Sequence, residues 1–115
     1  MVKLQSFRSV FPRAEEAAGR VELLLDEPKG SEYSLEHLYK EIRPESISAL
    51  AEMLDWLTAH KYLKLIYRIV SPNSRAGLAE FPSLSDVPDH VFDDVDTGRD
   101  IEVTTRAIDV IYRLD

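Results

Sequence analysis

The residues that could support catalysis or bind a metal ion are few, and their spacing favours neither chemistry. His37, His60 and His90 lie far apart in the chain, whereas zinc motifs place two histidines about four residues apart on one helix face. The chain has no cysteine, no glycine-rich phosphate loop and no G-x-S-x-G nucleophile motif. We therefore expect a protein without catalytic activity, without a cofactor and without a bound metal.

An aspartate-rich run, Asp93–Gly98, has the composition of a calcium-binding loop but not its spacing. With the second aspartate of the run in first position, Gly98 would occupy the fifth, where a ligand belongs, and Thr105 would replace the glutamate at the twelfth. The run belongs to an acidic segment, Asp86–Glu102, that contains seven acids and a single cation, Arg99. Such a segment is either a solvated loop or a surface that attracts a basic partner.

The composition indicates one small domain that acts away from membranes. The chain has 115 residues, of which 44% are apolar and 30% charged, which is enough to bury one core. No apolar run approaches the ~20 residues that a membrane-spanning helix needs, and the start has no signal-peptide pattern. The absence of cysteine is compatible with a reducing compartment. We predict a cytoplasmic protein with a single domain over 1–115.

Three amphipathic helices are predicted in the first half of the chain. The first ends at Pro28-Lys29-Gly30, because proline and glycine interrupt the helical period. Ser34 is expected to cap a short second helix, and Arg43-Pro44 to end it, since a residue before proline avoids helical dihedral angles. Ser46 is expected to cap a third helix that runs roughly from Ile47 to His60.

The second half changes to the alternating pattern of β-strands. Leu63–Val70 and Ile108–Leu114 are predicted strands that can pair antiparallel, and Ile101–Val103 could extend the ribbon. Residues 71–107 between them are predicted to form a long acidic loop, or wing, which packs back through its apolar side chains. The expected fold class is α+β, with three helices and a two- to three-stranded antiparallel sheet.

This order of helix, helix, turn, helix, strand, long wing and strand resembles the winged helix-turn-helix fold. The resemblance covers about residues 13 to 114, and it is carried by Ser34-Leu35-Glu36-His37-Leu38, by Leu54-Asp55-Trp56-Leu57 and by Lys61-Tyr62-Leu63. It implies a winged-helix-like domain, a class usually associated with DNA. In that class the third helix would be the one that enters the DNA groove.

The outer face of the third helix is acidic. Its predicted core stripe is Ile47, Leu50, Leu54 and Leu57. The opposite side carries Glu45, Glu52 and Asp55 and no cation. A DNA-binding helix would present arginine, lysine, asparagine or glutamine there, and carboxylates repel the phosphate backbone. We therefore predict either a solvated face or a face that contacts another protein.

A second stripe on the same helix, called here the ridge, consists of Ala49, Met53, Trp56 and His60. Tryptophan and methionine can contribute a large contact area at interfaces. Two interpretations are open: a partner could dock on the ridge with Trp56 as its apolar anchor, or the chain could cover the ridge internally. The side chains available for internal cover are Phe7, Phe11, Phe81 and Phe92.

We expect a non-catalytic protein-interaction or adaptor module that binds a basic partner protein. The residues predicted to contact the partner are Ala49, Glu52, Met53, Asp55, Trp56, His60, Asp93, Asp94 and Asp96. An alternative is a DNA-binding transcriptional regulator that uses the wing and a basic strand face formed by Lys61, Lys64, Arg68 and Arg75. Another is a homodimer with a self-complementary ridge. No membrane partner is expected.

Overall fold

Four α-helices and six β-strands form the part of the chain that the computed structural model describes, residues 3–115. The first two residues of the predicted domain range, 1–115, lie outside the described residues. The helices are α1 (Gln5–Val10), α2 (Glu15–Leu25), α3 (Leu35–Ile42) and α4 (Ile47–Ala59). The strands are β1 (Glu32–Tyr33), β2 (Leu63–Val70), β3 (Gly77–Phe81), β4 (His90–Asp93), β5 (Arg99–Glu102) and β6 (Ile108–Leu114). The mixed α+β class is confirmed.

The chain divides into two compact units, each described here by itself. The helical unit comprises residues 3–64 and 112–115, and the strand unit comprises residues 65–111. All four helices contribute to the hydrophobic core of the helical unit. Its fully buried side chains include Phe7, Val21, Leu38, Leu50 and Leu57. Burial of this apolar surface is the main force that holds the four helices together.

Both predicted helix caps are confirmed. The hydroxyl of Ser34 accepts a hydrogen bond from the His37 N–H at 3.1 Å, and that of Ser46 accepts one from the Ala49 N–H at 3.0 Å. Helix α3 ends at the predicted break, where Arg43 adopts a left-handed conformation with φ 51°. These local signals fix where α4 begins, and therefore which of its residues face outward.

The inward stripe of α4 differs by one residue from the prediction. Leu50, Leu54 and Leu57 are buried as expected, but Ile47 is 59% exposed and Met53 takes its place in the core. At 100° per residue Ile47 and Met53 lie about equally far from the mean direction of the three leucines, on opposite sides of it, so helical periodicity does not decide which of the two is buried. Ile47 is the first residue of α4, and Met53 lies in its interior.

The strands form a four-stranded antiparallel sheet with the order β1-β6-β2-β3 and a separate two-stranded sheet of β4 and β5. The predicted strands β2 and β6 are confirmed and lie next to each other in the larger sheet. Strand β1, which was not predicted, pairs through Tyr33 with Tyr112 of β6.

Two further features of the predicted fold are corrected. The chain has four helices rather than three, because residues 5–10 form α1. Residues 71–107 are not one long loop: they contain β3, β4, β5 and two short 3-10 turns. Ile101 pairs with Val91 of β4 and does not extend the larger sheet. Strands of only four or five residues give too short an alternation for the sequence pattern to distinguish them from loop.

We predict that Ser46→Ala lowers the free energy of unfolding by about 1 kcal/mol, because the Ala49 N–H then loses its side-chain acceptor at the start of α4. Urea unfolding followed by circular dichroism measures the change. Ser48→Ala is the matched control: Ser48 is exposed in the same helical turn, and its hydroxyl makes no hydrogen bond with another of the described residues. Equal destabilisation by the two variants would contradict the capping role of Ser46.

Candidate functional site

The predicted acidic face of α4 is exposed and without internal ion pairs. Glu45, Glu52 and Asp55 are all exposed. Among residues 3–115, none of the three has a cation within ion-pair distance, and α4 itself contains neither lysine nor arginine. Helix α3, by contrast, pairs Glu36 with Lys40 at 3.1 Å. Glu45, just before α4, and Glu52 and Asp55 on the helix therefore form a surface without ion pairs, called here the acidic face.

Trp56, at the centre of the ridge beside the acidic face, is covered from within the chain. The ring of Phe7 from α1 meets Trp56 edge-on at 5.3 Å between centroids, and Phe11 lies 4.8 Å from Phe7. On the other side, the His60 ring stacks on Trp56 at 3.9 Å. The internal-cover interpretation is therefore confirmed for Trp56, through Phe7 and its neighbour Phe11, and Trp56 is half-buried rather than a free anchor.

Two residues predicted to contact a partner lie in the interior. Met53 is 2% exposed and belongs to the core of the helical unit, so the prediction that it presents a contact surface on the ridge is corrected. Asp93 is 0% exposed, and its place in an exposed acidic loop is corrected as well. Of the remaining residues, Asp55, His60, Asp94 and Asp96 are exposed, while Ala49 and Trp56 are half-buried.

An open groove of about 600 Å³ runs between α2 and α4 on the helical unit. Its apolar lining consists of Phe11, Pro12, Ala14 and Ala17 on the α2 side and of Ala49 and Met53 on the α4 side. Acidic side chains line it from both sides, Glu15 and Glu16 from α2 and Glu45 and Glu52 from the acidic face. Sequence patterns did not indicate this groove, because it forms only where two helices distant in the sequence face each other.

Arginines from three segments line the same groove. Arg20 of α2 is engaged: its Nε donates to the Ile42 carbonyl oxygen at 2.6 Å, and Nη2 donates to that of Arg43 at 3.3 Å. Arg13 and Arg43 also line the groove, and neither makes an ion pair with another residue in the described chain. The groove therefore has both acidic and basic side chains along its length, with Glu15 and Glu16 of α2 in ion pairs and Arg13, Arg43, Glu45 and Glu52 outside any ion pair among the described residues.

Helix α1 is held in place by a charged contact that the sequence did not reveal. Glu22 of α2 is buried and accepts a hydrogen bond from the Leu4 N–H at 2.8 Å and one from Arg8 Nη2 at 2.6 Å. Arg8 also pairs with Glu15. The hydrogen bond from Arg8, followed by that from Leu4, lowers the pKa of Glu22. This network fixes the short helix that covers Trp56.

Asp93 organises the turn between β4 and β5 in the strand unit. Its Oδ1 accepts hydrogen bonds from the Val95 and Asp96 N–H groups at 3.2 and 2.9 Å, and its Oδ2 accepts one from the Ser71 hydroxyl at 2.9 Å. Burial would raise the pKa of Asp93, but hydrogen bonds from Asp96, Ser71, Val95 and Thr97 outweigh it and lower the pKa below its ordinary value. Asp93 therefore stabilises the β4–β5 turn and does not present its carboxylate to a partner.

The hairpin of β4 and β5 presents an acidic outer face with an exposed aromatic ring. Phe92, 55% exposed, is paired directly opposite Asp100, and His90 opposite Glu102. Residues directly opposite in an antiparallel pair point to the same face. Together with Asp94 and Asp96 in the turn, these carboxylates make the strand unit strongly acidic on this face.

Of the four cations predicted to contact DNA in the alternative function, two already have carboxylate partners and two do not. Arg68 pairs with Glu80 at 2.6 Å, and Arg75 pairs with Asp109 at 2.6 Å while also donating to the Arg106 carbonyl oxygen. Lys61 and Lys64 are exposed, without a carboxylate partner among the described residues. Two of the four predicted phosphate contacts are therefore already neutralised by carboxylates.

Comparison with known proteins finds no family model that matches this chain, no curated protein similar to it and no solved structure that resembles it. Among the helices of residues 3–115, none combines the length and the apolar composition needed to cross a membrane.

We predict that Asp93→Asn destabilises the β4–β5 turn at neutral pH and that the difference from the wild type disappears in acid. Because the folded-state pKa of Asp93 lies below the ordinary value of 3.8, its stabilising contribution is complete above that value and is lost as the pH falls through the lower, folded-state pKa. Hydrogen exchange of the Asp96 amide, measured from pH 7 downward, reports the local stability.

The matched control is Asp94→Asn, an exposed neighbour in the same turn. It should leave exchange at Asp96 unchanged at every pH. If Asp93→Asn exchanged like the wild type at neutral pH, the buried carboxylate would not be what orders the turn.

Proposed function

We propose that the chain is a non-catalytic protein-interaction module of winged-helix type, and that it binds a basic segment of a partner protein through the acidic face of α4. The order of elements on which the winged-helix resemblance rests is present as α2, α3, the turn at Arg43-Pro44, α4, β2 and β6. That order supports the class. The acidic face supports a protein partner over the phosphates of DNA.

The observation that carries the proposal is the pair Glu52 and Asp55. They lie three residues apart on α4, so like charges are neighbours on the helix surface. No residue three or four positions away from either is a cation. Both lie beyond the first turn, where the helix dipole would stabilise a negative charge. The pair destabilises the isolated helix by roughly 0.2–0.5 kcal/mol, and a cation supplied by a partner would remove that repulsion.

Binding would use the acidic face first for attraction and then for orientation. Exposed, unpaired carboxylates raise the rate of encounter with a basic protein, and this effect weakens as salt is added. The exposed carboxylates of the β4–β5 hairpin, among them Asp94 and Asp96, form a second acidic surface that attracts the same class of partner. Asp93 takes no part, because it is buried.

We predict that Glu52→Gln/Asp55→Asn weakens binding of an unstructured lysine–glycine–serine peptide about fivefold, since two exposed ion pairs contribute about 0.5 kcal/mol each. Fluorescence anisotropy of the labelled peptide at low ionic strength gives the dissociation constant. Binding should weaken further as salt is raised.

The matched control is Glu36→Gln/Glu41→Gln, which removes the same charge from exposed positions on α3 and should change the dissociation constant by less than about twofold. Equal weakening by both double variants would mean that the peptide senses only net charge, and the acidic face would lose its role. A labelled random-sequence DNA duplex provides the competing measurement. If the duplex bound at physiological salt and lost affinity on Lys64→Glu, the DNA-binding alternative would replace this proposal.

A further inference from the structure

The two faces of the β4–β5 hairpin differ in burial. On one face Val91 and Ile101 pair with each other and are half-buried, and Asp93 is buried. Alternation along the two strands places the other side chains on the opposite, outer face. All four of them are exposed: His90, Phe92, Asp100 and Glu102. The outer face is therefore a sheet face that the described chain leaves open.

The outer face is polar except for one aromatic ring. Phe92 is 55% exposed, and no other ring lies against it in the part of the chain that the structure describes. A single exposed apolar side chain is common on protein surfaces, so the exposure of Phe92 alone does not select a ligand. The groups that surround the ring decide which ligand the face can bind.

Two carboxylates flank the ring of Phe92. Asp100 lies directly opposite it in the strand register, and Glu102 is its diagonal neighbour. Directly opposite residues have Cβ atoms about 4.5–5.5 Å apart, and diagonal neighbours are about 7–8 Å apart, so both carboxylates can reach a group that lies on the ring. Among residues 3–115, neither makes an ion pair. The one arginine of the two strands, Arg99, belongs to the other face by its register.

An exposed ring beside unpaired carboxylates matches the side chain of arginine. The negative face of the ring attracts a cation that lies within about 6 Å of the ring centroid. The guanidinium group is planar, so it can stack on the ring while its N–H groups donate to a carboxylate at the side. The ammonium of lysine is compact and strongly hydrated and does not stack in this way. An anionic ligand would be repelled by Asp100 and Glu102, and an apolar ligand would desolvate both carboxylates.

We propose that the outer face of the β4–β5 hairpin binds an arginine of the partner protein, with the guanidinium group stacked on Phe92 and hydrogen-bonded to Asp100. The inference rests on the proposed function in that the partner is basic, and it deepens that function by naming the residue type that is recognised. Glu102, at the diagonal position, adds electrostatic attraction for the same cation.

The first test measures the preference for arginine over lysine. The probes are the lysine–glycine–serine peptide and an arginine–glycine–serine peptide of the same length and charge, both labelled for fluorescence anisotropy. We expect the wild type to bind the arginine peptide about threefold more tightly. Phe92→Leu keeps an apolar side chain but removes the aromatic face, so it should abolish this preference.

The matched control is Tyr39→Leu, the same kind of change at an exposed aromatic residue of α3, which should leave the preference unchanged. A preference that persisted in Phe92→Leu would mean that arginine binds elsewhere, and would overturn the proposal. Proton NMR gives a direct reading: the arginine side-chain protons of the bound peptide should shift upfield over the ring of Phe92, and this shift should be absent in Phe92→Leu.

The second test removes the carboxylate opposite the ring. Asp100→Asn should weaken the arginine peptide about threefold. Asp89→Asn removes the same charge from an exposed position just before β4 and should weaken it by less than about twofold. Equal weakening by the two variants would show that the peptide senses only net charge, and would contradict the role of Asp100.

The outcomes separate the two proposals. If Glu52→Gln/Asp55→Asn weakened the lysine peptide while Phe92→Leu left the arginine preference unchanged, the hairpin proposal would be wrong and the proposed function would stand. If the double variant had no selective effect while Phe92→Leu abolished the preference, the acidic face of α4 would lose its role and the hairpin would be the binding surface. Light scattering gives the remaining result: a wild-type dimer that Phe92→Asp dissociates would show that a second copy covers the ring, and would overturn an arginine ligand.

Discussion

The turn at Arg43-Pro44 is the constraint on which the arrangement of the helical unit depends. Proline disfavours helical dihedral angles in the residue before it, and Arg43 takes a left-handed conformation that ends α3. Arg20 of α2 donates to the carbonyl oxygens of Ile42 and Arg43, which the end of the helix leaves without intrahelical partners. This contact ties α2 to the end of α3 and to the turn that precedes α4. The direction of α4, its outward carboxylates and the groove beside it all follow from that turn.

The carboxylates of the helical unit fall into two groups: a buried one that has hydrogen-bond donors, and exposed ones that only water solvates. The one buried carboxylate of this unit, Glu22, has two donors and holds α1 against α2. A buried charge without such partners would be strongly destabilising. Exposed carboxylates face no such requirement, because water solvates them. The unpaired state of Glu52 and Asp55 is therefore compatible with folding. It leaves a negative surface potential that is available to a partner.

Local signals allowed much of the fold to be predicted, and tertiary contacts account for what was missed. The caps at Ser34 and Ser46 and strands β2 and β6 follow from residues within one or two turns of each feature. Helix α1 has only six residues, too few to be stable alone, and it forms because Phe7 is buried. The outward charges of α4 could be predicted from helical periodicity. The groove could not be predicted in this way, because it forms between two helices. The burial of Asp93 could not be predicted either, because it depends on Ser71 from a distant segment.

Different parts of the surface of α4 have different consequences for binding. Phe7 and His60 pack against Trp56, so the helix is packed before any partner arrives. The carboxylates of Glu52 and Asp55, by contrast, remain exposed. A helix that is already capped at Ser46 and packed on one side loses little conformational entropy on binding. The covered ridge thus contributes to recognition indirectly: it keeps the acidic face rigid, and a rigid charged surface favours fast, salt-sensitive association over folding on binding.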